Sequence, residues 1–199
     1  MAPPIQSSVR KFTTQQRIAQ TDEDIALLSQ VVRKDMRAFE VLYRNYHQRL
    51  TRFLERITRQ THLIEEILDD TMLVVWLQAQ TYDRSCRVST WIFSIAYNKA
   101  MKAIKRAGRP LQALPDIESV ATDNGPEAES IKRESRHRMQ ELLALLPPEQ
   151  CAVVELTYFY GYSYTEIARI VDCPVGTVKT RMFHARRKLG SMLTTRPEQ

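Results

Sequence analysis

Between Thr21 and Arg106 the chain contains no glycine and no proline. A run of that length, rich in Leu, Ala, Arg, Glu and Gln, lacks the two residues that most readily end a helix, so it is expected to be helical nearly throughout. Punctuation returns at Gly108 and Pro110. Residues 110–130, PLQALPDIESVATDNGPEAES, hold three prolines, one glycine and five acids with no Lys or Arg. Such a segment buries too little apolar surface to order itself and reads as a flexible acidic linker. Fully extended, it reaches roughly 70 Å. Helical pattern resumes near Ile131, breaks at Pro147–Pro148 and continues to about Leu193. The expected fold is all-α: a basic arm over 1–20, a helical domain over 21–107, a linker over 108–131, a second small helical domain over 132–193 and a tail over 194–199.

Composition narrows the function classes. A net charge of +6 and a pI near 9.3 favour an anionic partner. Cys86, Cys151 and Cys173 are widely spaced, so neither a disulfide framework nor a zinc site is indicated, and a reducing compartment fits. No apolar run resembles a signal peptide or a membrane span, so a cytoplasmic protein without membrane insertion is expected. HExxH, GxSxG, P-loop and GxGxxG patterns are absent, and His47, His62, His137 and His184 lack metal-ligand spacing. No catalytic residues, metal or cofactor are expected.

The second domain carries the sharpest pattern. SYTE, Ser163 to Glu166, is a capping box that opens a short helix with Ile167, Ala168 and Val171 facing inward. Asp172–Cys173–Pro174 interrupts it, and Pro174 suits the first position of the next helix. Two short helices about a tight turn make a helix-turn-helix, whose second helix can enter a major groove. Unrolled at 100° per residue, that helix places Val178, Met182, Ala185 and Leu189 on one core stripe. Opposite lie Gly176, Thr177, Thr180, Phe183, His184 and Arg187, flanked by Lys179 and Arg186 on one side and Arg181 and Lys188 on the other. A solvated cationic helix end would explain Arg186 to Lys188. It does not explain Lys179 and Arg181 in the early turns, where acids are preferred, so duplex DNA is the expected ligand.

The first domain segregates charge. Thr61–Asp83 contains Glu65, Glu66, Asp69, Asp70 and Asp83 and no Lys or Arg; Arg84–Arg109 contains seven cations and no acid. The acidic helix should attract a basic protein surface, and the basic one should attract nucleic acid. On the helix from about Ser89 to Arg106, Asn98, Lys99, Lys102, Lys105 and Arg106 share an arc with Trp91 and Ile95, while Phe93, Ala96, Tyr97, Ala100 and Ile104 form a core stripe. The preceding loop, TYDRSCRVS, interleaves Tyr82 with Arg84 and Arg87, a combination that suits an unpaired strand. Residues such as Tyr82 and Trp91 are more often core residues than stacking platforms.

These segments resemble the extracytoplasmic function (ECF) class of bacterial RNA polymerase sigma factors. FEVLYRNYHQRLTRFLERIT, EEILDDTMLVVW and STWIFSIAYNKAMKAIKR are similar to that family's region 2, and LLALLPPEQCAVVELTYFYGYSYTEIARIVDCPVGTVKTRMFHARRKL to its helix-turn-helix region 4. The resemblance implies a protein that binds core RNA polymerase and directs promoter recognition, melting and initiation. It implies that Glu65, Glu66, Asp69 and Asp70 dock on the polymerase clamp helices. Tyr82, Arg84, Arg87, Trp91, Asn98, Lys99, Lys102 and Arg106 would capture the melted −10 element, including an extruded base. Thr177, Lys179, Thr180, Arg181, Phe183, His184 and Arg187 would read the −35 duplex. It also implies an anti-sigma factor as a partner. His184 stands where the family often has arginine. The alternative, a stand-alone helix-turn-helix regulator, gives the acidic helix no task.

Overall fold

The computed structural model describes residues 14–107 and 141–194; the expected linker, the start of the second domain and the extreme termini lie outside the described residues. Seven helices are labelled here: α1 Thr14–Val32, α2 Met36–Thr58, α3 Ile64–Gln78, α4 Val88–Arg106, α5 Pro148–Tyr158, α6 Tyr164–Ile170 and α7 Val175–Thr194. A helical end at 141–144 precedes α5, and the described residues contain no strand. α1 begins at Thr14, inside the span 1–20 expected as a basic arm.

The glycine-free run still has to turn three times. Lys34 (φ 65°) follows α1, Arg59 (φ 56°) follows α2, and Arg84 (φ 60°) sits in the loop before α4. Each is a non-glycine residue in the left-handed region, at a cost of about 1 kcal/mol that the flanking packing must offset. Asp35 starts α2 by accepting hydrogen bonds from the Arg37 and Ala38 amides at 2.8 and 3.2 Å. From there Ala38, Leu42, Tyr46, Leu50, Phe53, Leu54 and Ile57 recur at helical spacing, and all are buried. The Tyr46 hydroxyl donates to the buried Asp24 carboxylate at 2.5 Å, tying α1 to α2. Burial, with the Asp24 charge beside it, pushes the Tyr46 phenol well above its ordinary range.

Pro148 opens α5 at a position where the missing amide is not needed. The capping box of α6 is complete: the Glu166 amide donates to Ser163 Oγ and the Ser163 amide donates to Glu166 Oε2, at 3.3 and 2.9 Å. Asp172 turns the chain at φ 47°. α7 begins one residue later than expected, with Pro174 supplying the carbonyl that accepts from the Thr177 and Val178 amides. Val178, Met182 and Ala185 are buried with Leu189 packed against them, as the stripe predicts. Ile170, absent from that reading, is fully buried too.

Sequence reading expects two helical bodies on a tether. In the structure they share one core. α5 packs on α2, α6 packs on α4, and rings from both sides meet between them. Phe93 lies 5.3 Å from Phe53, 5.0 Å from Tyr160 and 5.8 Å from Tyr162.

Candidate polymerase and nucleic-acid interfaces

α3 displays the four acids on its outward face. Ile64, Ile67, Leu68, Thr71, Met72 and Val75 are buried, which turns Glu65, Glu66 and Asp69 to solvent and leaves Asp70 half-exposed. Glu65 and Glu66 also lie in the first turn, where the helix dipole favours negative charge. The acids then divide. Asp69 accepts from the Tyr43 hydroxyl at 3.5 Å, on the side facing α2. Asp70 holds Lys99 at 2.8 Å and Glu66 faces Arg106 at 3.8 Å, on the side facing α4.

Apolar residues that sequence reasoning missed lie among these acids. Leu73 and Leu77 are 52% and 53% exposed, and Met36 projects nearby. Leu73 and Met36, with Phe39, Tyr43, Met72 and Trp76, edge an open groove between α2 and α3, where the Phe39 and Trp76 rings meet edge to face at 5.1 Å. The signal was present in MLVVWL, which holds more apolar residues than one buried helix face can use.

On α4 the core stripe is as read at Phe93, Ala96, Tyr97 and Ala100, whereas Ile104 is half-buried. Asn98, Lys102 and Arg106 are exposed on the opposite arc, with Lys99 half-buried beside them. Lys99, Lys102, Lys105 and Arg106 form one wall of a groove whose other wall is Glu66, Ile67 and Asp70. The two blocks of opposite charge, separate in sequence, therefore face each other in space.

The loop before α4 is held by its own contacts. The Ser85 amide donates to Asp83 Oδ1 at 2.9 Å, and the Tyr82 hydroxyl donates to the Cys86 carbonyl. Tyr82 and Trp91 are half-buried, with ring centroids 5.6 Å apart, so each gives one side to the core and keeps an edge for solvent. Arg84 is exposed, but Arg87 turns away and pairs with Glu166 of α6 at 3.2 Å.

α7 presents Lys179, Thr180, Phe183, His184 and Arg187 to solvent, Phe183 being 60% exposed, with Thr177 half-buried. A Cβ at Gly176 would meet nothing within 4 Å, so the start of this face is open. Thr180 Oγ1 donates to the Gly176 carbonyl at 3.0 Å and must rotate to reach a base. Arg181 is half-buried, 3.8 Å from Cys173 Sγ, and lies beside the Tyr97 phenol. Burial pushes that phenol up to about 12, with the Arg181 guanidinium opposing the shift. Arg186 and Lys188 serve the second domain itself: Arg186 donates to the Tyr158 hydroxyl and Lys188 to the Leu145 carbonyl.

Among the described residues no group of His, Cys, Asp and Glu is arranged to hold a metal, and no helix is long and apolar enough to cross a membrane.

Comparison with known proteins identifies the family. Residues 42–110 match the profile of Sigma-70 region 2, and residues 136–189 that of Sigma-70, region 4. The ECF RNA polymerase sigma factor SigM of Mycobacterium tuberculosis H37Rv is 31% identical over 171 residues, covering 85% of this chain and 84% of its own length. The RNA polymerase sigma-H factor of Pseudomonas aeruginosa PAO1 is 25% identical over 185 residues, covering 86% and 94%. Among solved structures, CnrH in complex with the cytosolic domain of CnrY matches with a TM-score of 0.65 at 22% identity, over 88% of this chain and 99% of that one. RpoE of Bartonella quintana, solved with NepR, matches with a TM-score of 0.58 at 22% identity, over 80% and 98%. Matches to both regions do not favour a stand-alone helix-turn-helix regulator. An acidic helix and a helix-turn-helix thus occur in one chain because it belongs to the ECF family of sigma factors, which bind core RNA polymerase and direct it to promoter DNA.

Proposed function

We propose that the outward face of α3 is the handle for polymerase, that the 82–89 loop with α4 takes the melted −10 strand, and that α7 reads the −35 duplex. The division of labour follows the expected domains, 21–107 and 132–193. Glu65, Glu66, Asp69 and Asp70 would meet a basic helical surface of the polymerase, with Leu73 and Leu77 supplying the apolar contact between them. Trp91 and Tyr82 would stack against unpaired bases while Arg84, Asn98, Lys99, Lys102 and Arg106 engage the backbone and base edges. Thr177, Lys179, Thr180, Arg181, Phe183, His184 and Arg187 would divide between phosphate and base-edge contacts. The protein would make no bonds itself, the polymerase supplying the chemistry, and it would work in the cytoplasm under the control of an anti-sigma factor. CnrH and RpoE were each captured with a partner protein.

The observation that carries the polymerase assignment is the interleaving of exposed leucines with exposed carboxylates on one helix face. Charge alone would suit solvent; charge with half-exposed leucine suits a protein. Glu65→Lys/Asp69→Lys should weaken core-polymerase affinity at least about tenfold, because like charges are then opposed across the contact. The helical signal should be unchanged, since exposed charges contribute little to stability. Equal retention of variant and parent in a core-polymerase pull-down would remove this face from the interface.

A further inference from the structure

Asp83 is the one acid of the 61–83 block that does not lie on α3. It stands exposed in the loop before α4, beside Arg84. A carboxylate in a loop that takes a nucleic-acid strand should repel that strand. Its hydrogen bonds give it another task. The carboxylate accepts from the Ser85 amide at 2.9 Å, an Asx turn that fixes the backbone two residues on. Hydrogen bonds from the Ser85 amide and hydroxyl hold the Asp83 carboxyl below its ordinary range, because they favour the charged form.

That turn encloses a residue in an unfavourable conformation. Arg84, between Asp83 and Ser85, has φ 60°, a left-handed backbone that a side chain with a Cβ resists. Two further ties close the loop around it. The Tyr82 hydroxyl donates to the Cys86 carbonyl, and the Tyr82 ring lies 5.6 Å from that of Trp91. Ala79 before the loop and Val88 after it are buried, which fixes both ends. Arg169 of α6 donates to the Ser85 carbonyl from outside the loop. A loop tied in this way has its shape before any ligand arrives, and the ordering cost of binding is correspondingly smaller.

We propose that Asp83 is a positioning residue of this loop: by holding the Ser85 amide it keeps Arg84 in its left-handed turn, so that the loop selects an unpaired base by fixed shape. The proposal rests on the assignment of the 82–89 loop to the melted −10 strand. Asp83 acts on the loop and does not itself touch the base.

Asp83→Asn and Asp83→Ala separate shape from charge. Both remove the negative charge, but the asparagine carbonyl can still accept from the Ser85 amide and alanine cannot. In the full-length protein without DNA, exchange of the Ser85 amide proton, followed by NMR, should quicken at least about fivefold in Asp83→Ala and much less in Asp83→Asn. The second measurement loads each protein on core RNA polymerase, offers a randomised single-stranded DNA pool and sequences what is retained. The parent should enrich particular bases, and Asp83→Asn should enrich the same ones. Asp83→Ala should lose at least about fivefold of that enrichment, as preorganisation is lost. Its total DNA retention should hold or rise, since an acid is gone. An Asp83→Ala protein as selective as the parent overturns the proposal. So does an Asp83→Asn protein as unselective as Asp83→Ala, which would make the charge itself the agent. An equal loss in Arg169→Ala would transfer the hold to α6 and overturn it too. Should Arg84→Ala and Trp91→Ala both leave the parent's enrichment intact, the −10 assignment falls and base selection by this loop with it, whereas the exchange contrast still reports on the turn.

Discussion

α4 and α7 each turn a row of cations outward, and the two rows have different surroundings. Lys99 and Arg106 on α4 look across a groove at α3, where Asp70 and Glu66 meet them. Among the described residues, no side chain of α7 makes an ion pair. The cations of α7 therefore present an undiminished field, while part of the field of α4 is cancelled by its own neighbour. A basic helix face in a sequence marks a surface that could bind an anion; whether it attracts one depends on what the fold sets opposite. Here α3 couples the two tasks proposed for region 2, because the acids offered to polymerase also quiet the lysines offered to DNA.

The largest test attacks the support of the α7 face. Val178 is fully buried under it. Val178→Asp places an unpaired charge in the core of the second domain and should cost about 3–5 kcal/mol, enough to unfold that body. Urea unfolding followed by circular dichroism should lose the second domain's share of the transition. An unmoved midpoint would mean that the exposed row does not stand on this stripe. Next in size is the reading itself. Arg181→Ala should lower discrimination among −35 sequences by about 1–3 kcal/mol in the holoenzyme, while Lys179→Ala weakens all sequences alike and reduces the salt slope by about one. Uniform weakening from Arg181→Ala would confine Arg181 to phosphate.

A smaller effect concerns the contact between α2 and α5, where Arg56 meets Glu155 at 2.6 Å. Burial pushes the Glu155 carboxyl up to about 7, against the lowering influence of Arg56. Open and solvated, the same carboxyl titrates near its ordinary 4.5. Between those values Glu155 buried against α2 holds a proton that a solvated carboxyl releases, so the α2–α5 contact is favoured at the acid end and weakens as pH rises through about 7. The slope is at most ~1.4 kcal/mol per pH unit. The groups facing Glu155 are Arg56 from α2 with Cys151 and Tyr160 beside it. Small-angle scattering should show expansion between pH 5 and pH 8 that Glu155→Gln abolishes. Expansion persisting in Glu155→Gln would assign the effect to another group.

Much of this was legible in the residues, and the gaps have physical causes. The stripe Val178–Met182–Ala185 and the capping box at Ser163 were readable because helix period and cap chemistry are local. The turns at Lys34, Arg59 and Arg84 were hidden, because they use non-glycine residues in a left-handed conformation that no sequence symbol announces. The acidic face of α3 was readable as charge, but not its division between the α2 and α4 sides, which depends on where neighbouring helices fall. Arg56 and Glu155, 99 residues apart in sequence, gave no signal at all. Each looks like an ordinary surface charge until the two bodies are seen together. Arg87 lies in the loop and Arg181 on α7, yet Arg87 pairs with Glu166 of α6 and Arg181 lies beside Tyr97 of α4, contacts from another part of the fold that local sequence cannot announce.

The smallest effect separates the two rows most cleanly. Glu66→Gln/Asp70→Asn removes the charges opposite Arg106 and Lys99 while keeping the side-chain shapes. Both pairs are substantially exposed, so each release should amount to only about 0.2–1 kcal/mol. In the free protein, that predicts roughly a two- to thirtyfold tighter hold on a single-stranded oligonucleotide at low salt, fading as ionic strength shortens the screening length. Removing acid anywhere raises the net charge, so the control is Glu65→Gln, exposed on the same helix but on the side away from α4. If the gain comes from unmasking, Glu65→Gln gives little of it, and binding of −35 duplex by α7 stays the same in both variants. If Glu65→Gln gives as much per charge, or if duplex binding rises equally, the advantage is one of overall charge. α4 would then be as unencumbered as α7, and the contrast between the two rows would fail.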